Sequence, residues 1–240
     1  MFTKAIRIVK DGIFPIFRIE KISPQKANIG VVGTGFFINS KGYFVSVAHV
    51  FDIQNPQISY CYWGKLPDEV INPNLIINEV VRDDGNDIFI GKISLKNTKY
   101  LYLEKKLQDI GKSVCISGYP LAQIVPNNQG GPELSGVRRY FQPSFVLDRI
   151  SANIGSETGR TRRHDGFLVR DFGLFGMSGG PVFDIKGVVV GVQASVTSPR
   201  TSISADGRTI SVENAIAIRS NLVLDLLKRN NIQTNFFGRF

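Results

Sequence analysis

The stretch Gly176-Met177-Ser178-Gly179-Gly180-Pro181 decides how this chain is read. It lies between two apolar runs, Phe167-Leu168-Val169 and Pro181-Val182-Phe183. A serine among small residues on a tight loop between strands suits a nucleophile. Glycines let the backbone bend and let a substrate carbonyl come close. They also let successive backbone N–H groups point into one cavity, which is what stabilising an oxyanion requires. A glycine-rich turn with an incidental serine would have the same sequence. The rest of the chain must therefore supply a base, because a serine hydroxyl is a poor nucleophile until one activates it.

Two histidines are present, His49 and His164. His49 follows the apolar run Tyr43-Phe44-Val45-Ser46-Val47, where strand packing would hold it fixed. His164 sits in Thr161-Arg162-Arg163-His164-Asp165-Gly166, which reads as a polar loop. Fixed geometry favours His49 as a general base. The carboxylate that orients it should be buried near the start of a strand. In Asp83-Asp84-Gly85-Asn86-Asp87 only Asp87 abuts the apolar run Ile88-Phe89-Ile90. Asp87 is expected to be drawn inward, with Asp83 and Asp84 left in the turn.

Composition bounds the rest. Of 240 residues, 42% are hydrophobic and 20% charged, the balance of a soluble globular protein. No apolar run approaches the ~20 residues that span a membrane. The first apolar positions are interrupted by Lys4, Arg7, Lys10 and Asp11, which excludes a signal-peptide core. Cys61 and Cys115 lie in apolar segments and read as core thiols of a reducing compartment. A cytoplasmic chain is expected. Two histidines and two scattered cysteines do not suit a structural zinc site, and no metal or cofactor is expected. Net charge is +9, with the densest basic run at Arg160, Arg162 and Arg163 and a smaller pair at Arg138 and Arg139. Neither is interleaved with stacking aromatics, so both read as solvated loop and no nucleic-acid partner is expected.

Taken in order, positions 4–10 suit a short amphipathic helix. From Ile13 the texture is short apolar runs bounded by Gly, Pro, Asn and Asp, the pattern of strands. These fall at 16–19, 31–38, 43–47, 58–63, 74–81 and 88–93. A mostly polar segment, 96–109, reads as a connection. Strands resume at 113–118, 136–141, 144–150, 166–170, 187–194 and 215–218, with Ala205-Asp206-Gly207 as a hairpin turn. Ser220 can cap a closing helix whose stripe is Leu222, Val223, Leu226 and Leu227. The fold class is all-β: two antiparallel six-stranded barrels and a short C-terminal helix. The expected units are an N-terminal extension over 1–12, barrels over 13–100 and 110–219, and the helix over 220–230.

The chain order His49, Asp87, Ser178 is that of the chymotrypsin-type triad. Gly33-Thr34-Gly35-Phe36-Phe37-Ile38 followed by Gly42 to Val50, then Asn86 to Ile93, Gly176 to Pro181, Lys186 to Gly191 and Ala215 to Asn221 carry a resemblance. The chain resembles a trypsin-like serine protease of the HtrA/DegP type from about Ile16 to Asn230. The resemblance implies chymotrypsin-like barrels and acyl transfer to Ser178. His49 would be the base, Asp87 its orienter, and the Gly176 and Ser178 N–H groups the oxyanion hole. It also implies a protein or peptide substrate, no membrane and no cofactor, and leaves oligomerisation open. A silent scaffold that keeps the fold and binds protein partners would have the same motifs, and Gly173 and Gly176 would suit a latent enzyme. Phe172 and Phe175 on one wall, and Gln193, Ala194 and Ser195 on the other, are expected to line an apolar specificity pocket. Asp171 at its base would instead select Lys or Arg. Two departures stand out. Only about ten residues follow Asn230, too few for a PDZ-like domain. Met177 replaces the aspartate that pairs with a new N-terminus in secreted relatives, so that form of zymogen activation is not expected.

Overall fold

Alternating apolar residues pair the N-terminal half into one sheet. Strands β1 (Ile13–Ser23) and β2 (Lys26–Phe37) form a long hairpin with Ile13 opposite Phe36. They are joined by β3 (Tyr43–Ser46), β4 (Ile58–Tyr62), β5 (Leu75–Ile76), β6 (Asn78–Asp83) and β7 (Ile88–Lys92). The order is β5-β4-β1-β2-β3-β7-β6. Ile77 N donates to Tyr60 O across 2.9 Å, so the β5–β6 link joins the two ends of the sheet. This computed structural model describes residues 1–24, 26–53, 55–62, 75–120, 123–126, 132–135, 138–155, 161–171, 173–197, 202–203, 209–210, 214–234 and 236–237. The expected hairpin turn at Ala205-Asp206-Gly207 lies outside them.

The second half contributes β8 (Leu103–Glu104), β9 (Ser113–Gly118) and the hairpin β10 (Gln123–Pro126) with β11 (Pro132–Ser135). Then come β12 (Tyr140–Gly155), β13 (Thr161–Val169), β14 (Pro181–Phe183) and β15 (Val189–Val196). The pair β16 (Ser202–Ile203) and β17 (Thr209–Ile210) precedes β18 (Ala215–Arg219), and β19 (Phe236–Phe237) ends the series. The ring β14-β9-β12-β13-β18-β15 closes through the β14–β15 pairing, a six-stranded barrel. β8 and β19 extend its edge in parallel register, so the segment expected to be only a connection also adds a strand. The first barrel differs from the six-stranded expectation by the two-residue β5.

Helix α1 (Thr3–Val9) and helix α2 (Ser220–Arg229) stand where the sequence places them. Ala5 and Val9 are buried, and Phe2 meets Phe183 edge-on, which seats α1 against β14 of the second barrel. Ser220 does not cap α2. Arg219 occupies that position, and Ser220 Oγ donates instead to Glu104 O at 2.6 Å.

The largest departure is a hairpin. The expected strands at 144–150 and 166–170 are the inner parts of β12 and β13, which pair onward from Val146–Val169 to Gly155–Thr161. Thr161 to Gly166 is therefore strand and not loop. Arg162, His164 and Gly166 are buried while Thr161 and Arg163 are exposed. This is strand alternation with an arginine and a histidine on the inner face.

Candidate active site

His49 sits on a 3-10 turn, Ala48–Phe51, directly after β3. Asp87 precedes β7 and is fully buried. Its backbone is left-handed, at φ 56°, a region in which aspartate is among the better tolerated residues. Three bonds join Asp87 to the turn. Ala48 N donates to Asp87 O at 3.2 Å. His49 N donates to Asp87 Oδ1 at 2.9 Å, and His49 Nδ1 lies 2.8 Å from Oδ2. The imidazole is about one-third open to solvent while the carboxylate is closed off. Two residues beyond each polar partner, Phe51 and Phe89 stack at 3.8 Å between centroids. Ring pairs of this kind contribute about 0.5–1.5 kcal/mol beyond burial, so the apolar core clamps the two elements that carry the polar pair.

Burial by itself pushes the Asp87 carboxyl up. Contact with His164 and with His49, and the positive charges of His49 and Arg162, outweigh that and hold it well below the usual carboxylate range. Asp87 is thus an ionised acceptor in a closed site.

Ser178 lies on the turn between β13 and β14. Thr34 N of β2 donates to Ser178 O at 2.8 Å, and Thr34 Oγ1 donates to Gly176 O at 2.7 Å. Gly33 measures how closely the halves meet. A Cβ placed there would stand 2.6 Å from Val50 Cγ2, the neighbour of His49, and 3.0 Å from Ser178 O. At Gly179, φ is +86°, and a Cβ would meet Ser46 Oγ at 2.1 Å and Thr34 O at 2.2 Å. The serine turn is therefore packed against the backbone of β2 and the Ser46 side chain of β3, beside the His49 turn. Among the described residues, no hydrogen bond joins Ser178 Oγ to His49, and the Gly176 and Ser178 N–H groups donate to no acceptor. Met177 is fully buried among the apolar residues of the second barrel, which explains an apolar residue at that position.

The expected pocket residues divide. Phe172 lies outside the described residues. Phe175 is 77% exposed and forms no packed wall. Gln193 and Ala194 are buried, and Ser195 is half-buried. Gln193 Nε2 donates to Ser195 O at 3.0 Å. A Cβ on Gly173 would meet Gln193 Nε2 and Val196 Cγ1 at 2.7 Å, so the two segments already touch.

Two residues were missed as part of the site. His164, expected on a loop away from it, lies on β13 with Nε2 3.3 Å from Asp87 Oδ2. Arg162, expected in solvent, is 3% exposed, with Nε 3.1 Å from Asp87 Oδ1. Its Nη2 donates to both carboxylate oxygens of Asp52, at 2.6 and 2.7 Å. The cause is the hairpin, whose outer end reaches the first barrel, where Arg163 N donates to Gly85 O at 2.8 Å. Inward alternation across Arg162, His164 and Gly166 was the signal, masked by its polar side chains.

The fold has known counterparts. Residues 33–192 match the family model of the trypsin-like peptidase domain, and the chain belongs to that family. It is 25% identical over 232 residues to a probable periplasmic serine endoprotease, DegP-like, of Buchnera aphidicola, covering 94% of this chain and 43% of that protein. To the DegP-like protein of Bartonella henselae it is 28% identical over 215 residues, covering 86% of this chain and 35% of that one. The chain thus spans less than half the length of these relatives. Among solved structures, the Rv3671c protease of M. tuberculosis in its active form superposes with a TM-score of 0.65 at 19% identity, covering 98% of this chain and 86% of that one. The HtrA-type protease AlgW with a decapeptide also gives 0.65, at 17% identity, covering 96% of this chain and 67% of that one. These likenesses establish the chymotrypsin-like fold. Among the described residues no helix is long and apolar enough to cross a membrane.

Proposed function

We propose that the chain is a serine endopeptidase working through His49, Asp87 and Ser178. The observation that carries this reading is the buried Asp87 bonded to both the backbone N–H and Nδ1 of His49. That pair of bonds fixes the imidazole with Nδ1 as donor and leaves Nε2 free as acceptor. Ser178 Oγ attacks the substrate carbonyl as Nε2 takes its proton. The oxyanion is met by the Gly176 and Ser178 N–H groups. His49 then returns the proton to the leaving amine, and water hydrolyses the acyl-enzyme by the same route. Removing one oxyanion donor from such a site costs roughly 10²–10³ in rate.

A second reading, a latent or silent scaffold that binds protein partners, is favoured by one observation. The segments expected to wall the specificity pocket touch at Gly173, Gln193 and Val196. Substrate binding would have to part them. The cytoplasmic expectation rests on the charges that interrupt the first apolar positions and on two cysteines that suit a reducing compartment, whereas the DegP-like relatives are described as periplasmic. Cell fractionation decides that point. Incubation with an unfolded protein and a peptide library tests the activity. Cleavage by wild type and none by Ser178→Ala is expected, with apolar residues preferred before the scissile bond. Dominant cleavage after Lys or Arg would assign the pocket to Asp171. Full folding without cleavage would favour the scaffold.

A further inference from the structure

We propose that Arg162 and His164 are positioning residues, which hold Asp87 from the second barrel so that docking of the β12–β13 hairpin sets the orientation and basicity of His49. The inference rests on the protease reading of the site and extends it to residues outside the triad. Asp87 belongs to the first barrel, yet two of the three side chains around its carboxylate come from β13. His49 Nδ1 and His164 Nε2 share Oδ2, at 2.8 and 3.3 Å. The His49 N–H and Arg162 Nε share Oδ1, at 2.9 and 3.1 Å. His49 holds both oxygens by hydrogen bonds, while Arg162 Nε and His164 Nε2 stand at ion-pair distance without hydrogen-bonding them, so the hold of β13 on Asp87 is electrostatic.

The charged groups around the site are paired in a network. Arg162 is fully enclosed, and its Nη2 binds Asp52 at the end of the His49 turn. Asp52 also accepts from Arg82 Nη2 of β6 at 2.5 Å. Arg82 Nε donates to Asp84 Oδ1 at 2.7 Å, and Arg162 Nη2 stands 3.8 Å from that same oxygen. The groups facing the site are thus Asp87, Asp52 and Asp84, with Arg162 and Arg82 and the imidazoles of His49 and His164. A buried pair of this kind is weak evidence of stabilisation but is strongly destabilising when broken. Its use here is geometric. Arg162 ties the His49 turn, through Asp52, to the carboxylate that orients His49. Its cation, close to Asp87, also offsets part of the negative charge that favours the imidazolium.

Two consequences separate this role from a merely structural one. Removing the Arg162 charge leaves Asp87 a stronger partner for protonated His49, so the acid limb of activity moves to higher pH. Loosening Asp87 misplaces the base, and a displacement of about 1 Å costs roughly 10²-fold in rate. The test measures the rate of Ser178 labelling by a fluorophosphonate against pH in wild type, Arg162→Lys, Arg162→Gln and His164→Ala. It is joined by thermal melts and by the low-field proton resonance of His49 Nδ1–H. Arg162→Gln is expected to label roughly 10²-fold more slowly with its midpoint moved upward, and Arg162→Lys to recover the midpoint. His164→Ala is expected to slow labelling and to shift or broaden the low-field resonance. Folded Arg162→Gln and His164→Ala that keep the wild-type rate, midpoint and resonance would overturn the proposal. If Arg162→Gln does not fold, His164→Ala decides alone. If wild type never labels, the protease reading fails, and the resonance still reports whether Arg162 and His164 set the Asp87–His49 geometry.

Discussion

The two halves of the site are held by different forces. On the first barrel, His49 and Asp87 are fixed through side chains. Bonds of 2.8 and 2.9 Å join them, the Phe51–Phe89 stack lies beneath, and Arg162 and His164 close the far side. On the second barrel, the Ser178 turn is fixed through its backbone, by Thr34 N to Ser178 O and by glycines too tightly packed to accept a Cβ. The proposed base would need a defined electrostatic field, which buried charged groups supply. The proposed nucleophile turn would need free N–H groups and room for a substrate carbonyl, which only a small-residue backbone gives. Side-chain changes should therefore damage the first half through charge, and the second through shape.

The largest expected effect is chemical. Asp87→Asn should keep the fold but lose about 10⁴ in turnover, as in the general Ser-His-Asp template, because the amide favours the wrong imidazole tautomer. Asp87→Ala should add a stability loss smaller than the roughly 3–5 kcal/mol of a fully unpaired buried charge, because Asp52 still pairs with Arg162. Turnover and thermal melts of the two variants separate these effects. Gly179→Ala tests shape on the other half. Positive φ and contact with Ser46 and Thr34 should together cost on the order of 2–5 kcal/mol, with activity lost at temperatures where wild type is folded. A Gly179→Ala protein with wild-type melting and turnover would contradict the packing of the serine turn.

A smaller effect follows from the depressed Asp87 pKa. A carboxyl whose folded pKa lies below its unfolded value of about 3.9 contributes stability that is complete above that value. The contribution is lost as pH falls from about 4 toward the folded pKa. Denaturant midpoints measured from pH 6 down to pH 2 should fall less steeply in Asp87→Asn than in wild type. Parallel curves would show that Asp87 is not held ionised. The smallest effect concerns the thiols. Burial pushes Cys61 up to about 11 and Cys115 up to about 12, so few thiolates exist at pH 8. Both should resist alkylation in the native state and react on unfolding. Fast native-state modification would show that the core opens.

The contrast between the halves also explains what the sequence made legible. The proposed triad members could be picked from the sequence because Ser178 and Asp87 sit where a polar or glycine-rich turn meets an apolar strand and His49 directly follows one. The closed second barrel follows from short apolar runs, and α1 and α2 from their periodicity. Arg162 and His164 were hidden because inward-facing polar residues erase the apolar signal by which a strand is recognised. Only the partner waiting across the barrel interface, Asp87 with Asp52, makes those side chains an inner face. Ser220 was misassigned for a related reason, since its best acceptor, Glu104 O, is remote in sequence.

The central claim, that Ser178 is a nucleophile activated by His49, is tested most directly by intact-mass spectrometry after treatment with a fluorophosphonate. Wild type should gain one adduct, mapped to the peptide containing Ser178. Ser178→Ala should gain none while melting as wild type does, because alanine removes a single oxygen from a turn. Folded wild type that gains no adduct, with or without added peptide, or an adduct that survives Ser178→Ala, would contradict the account.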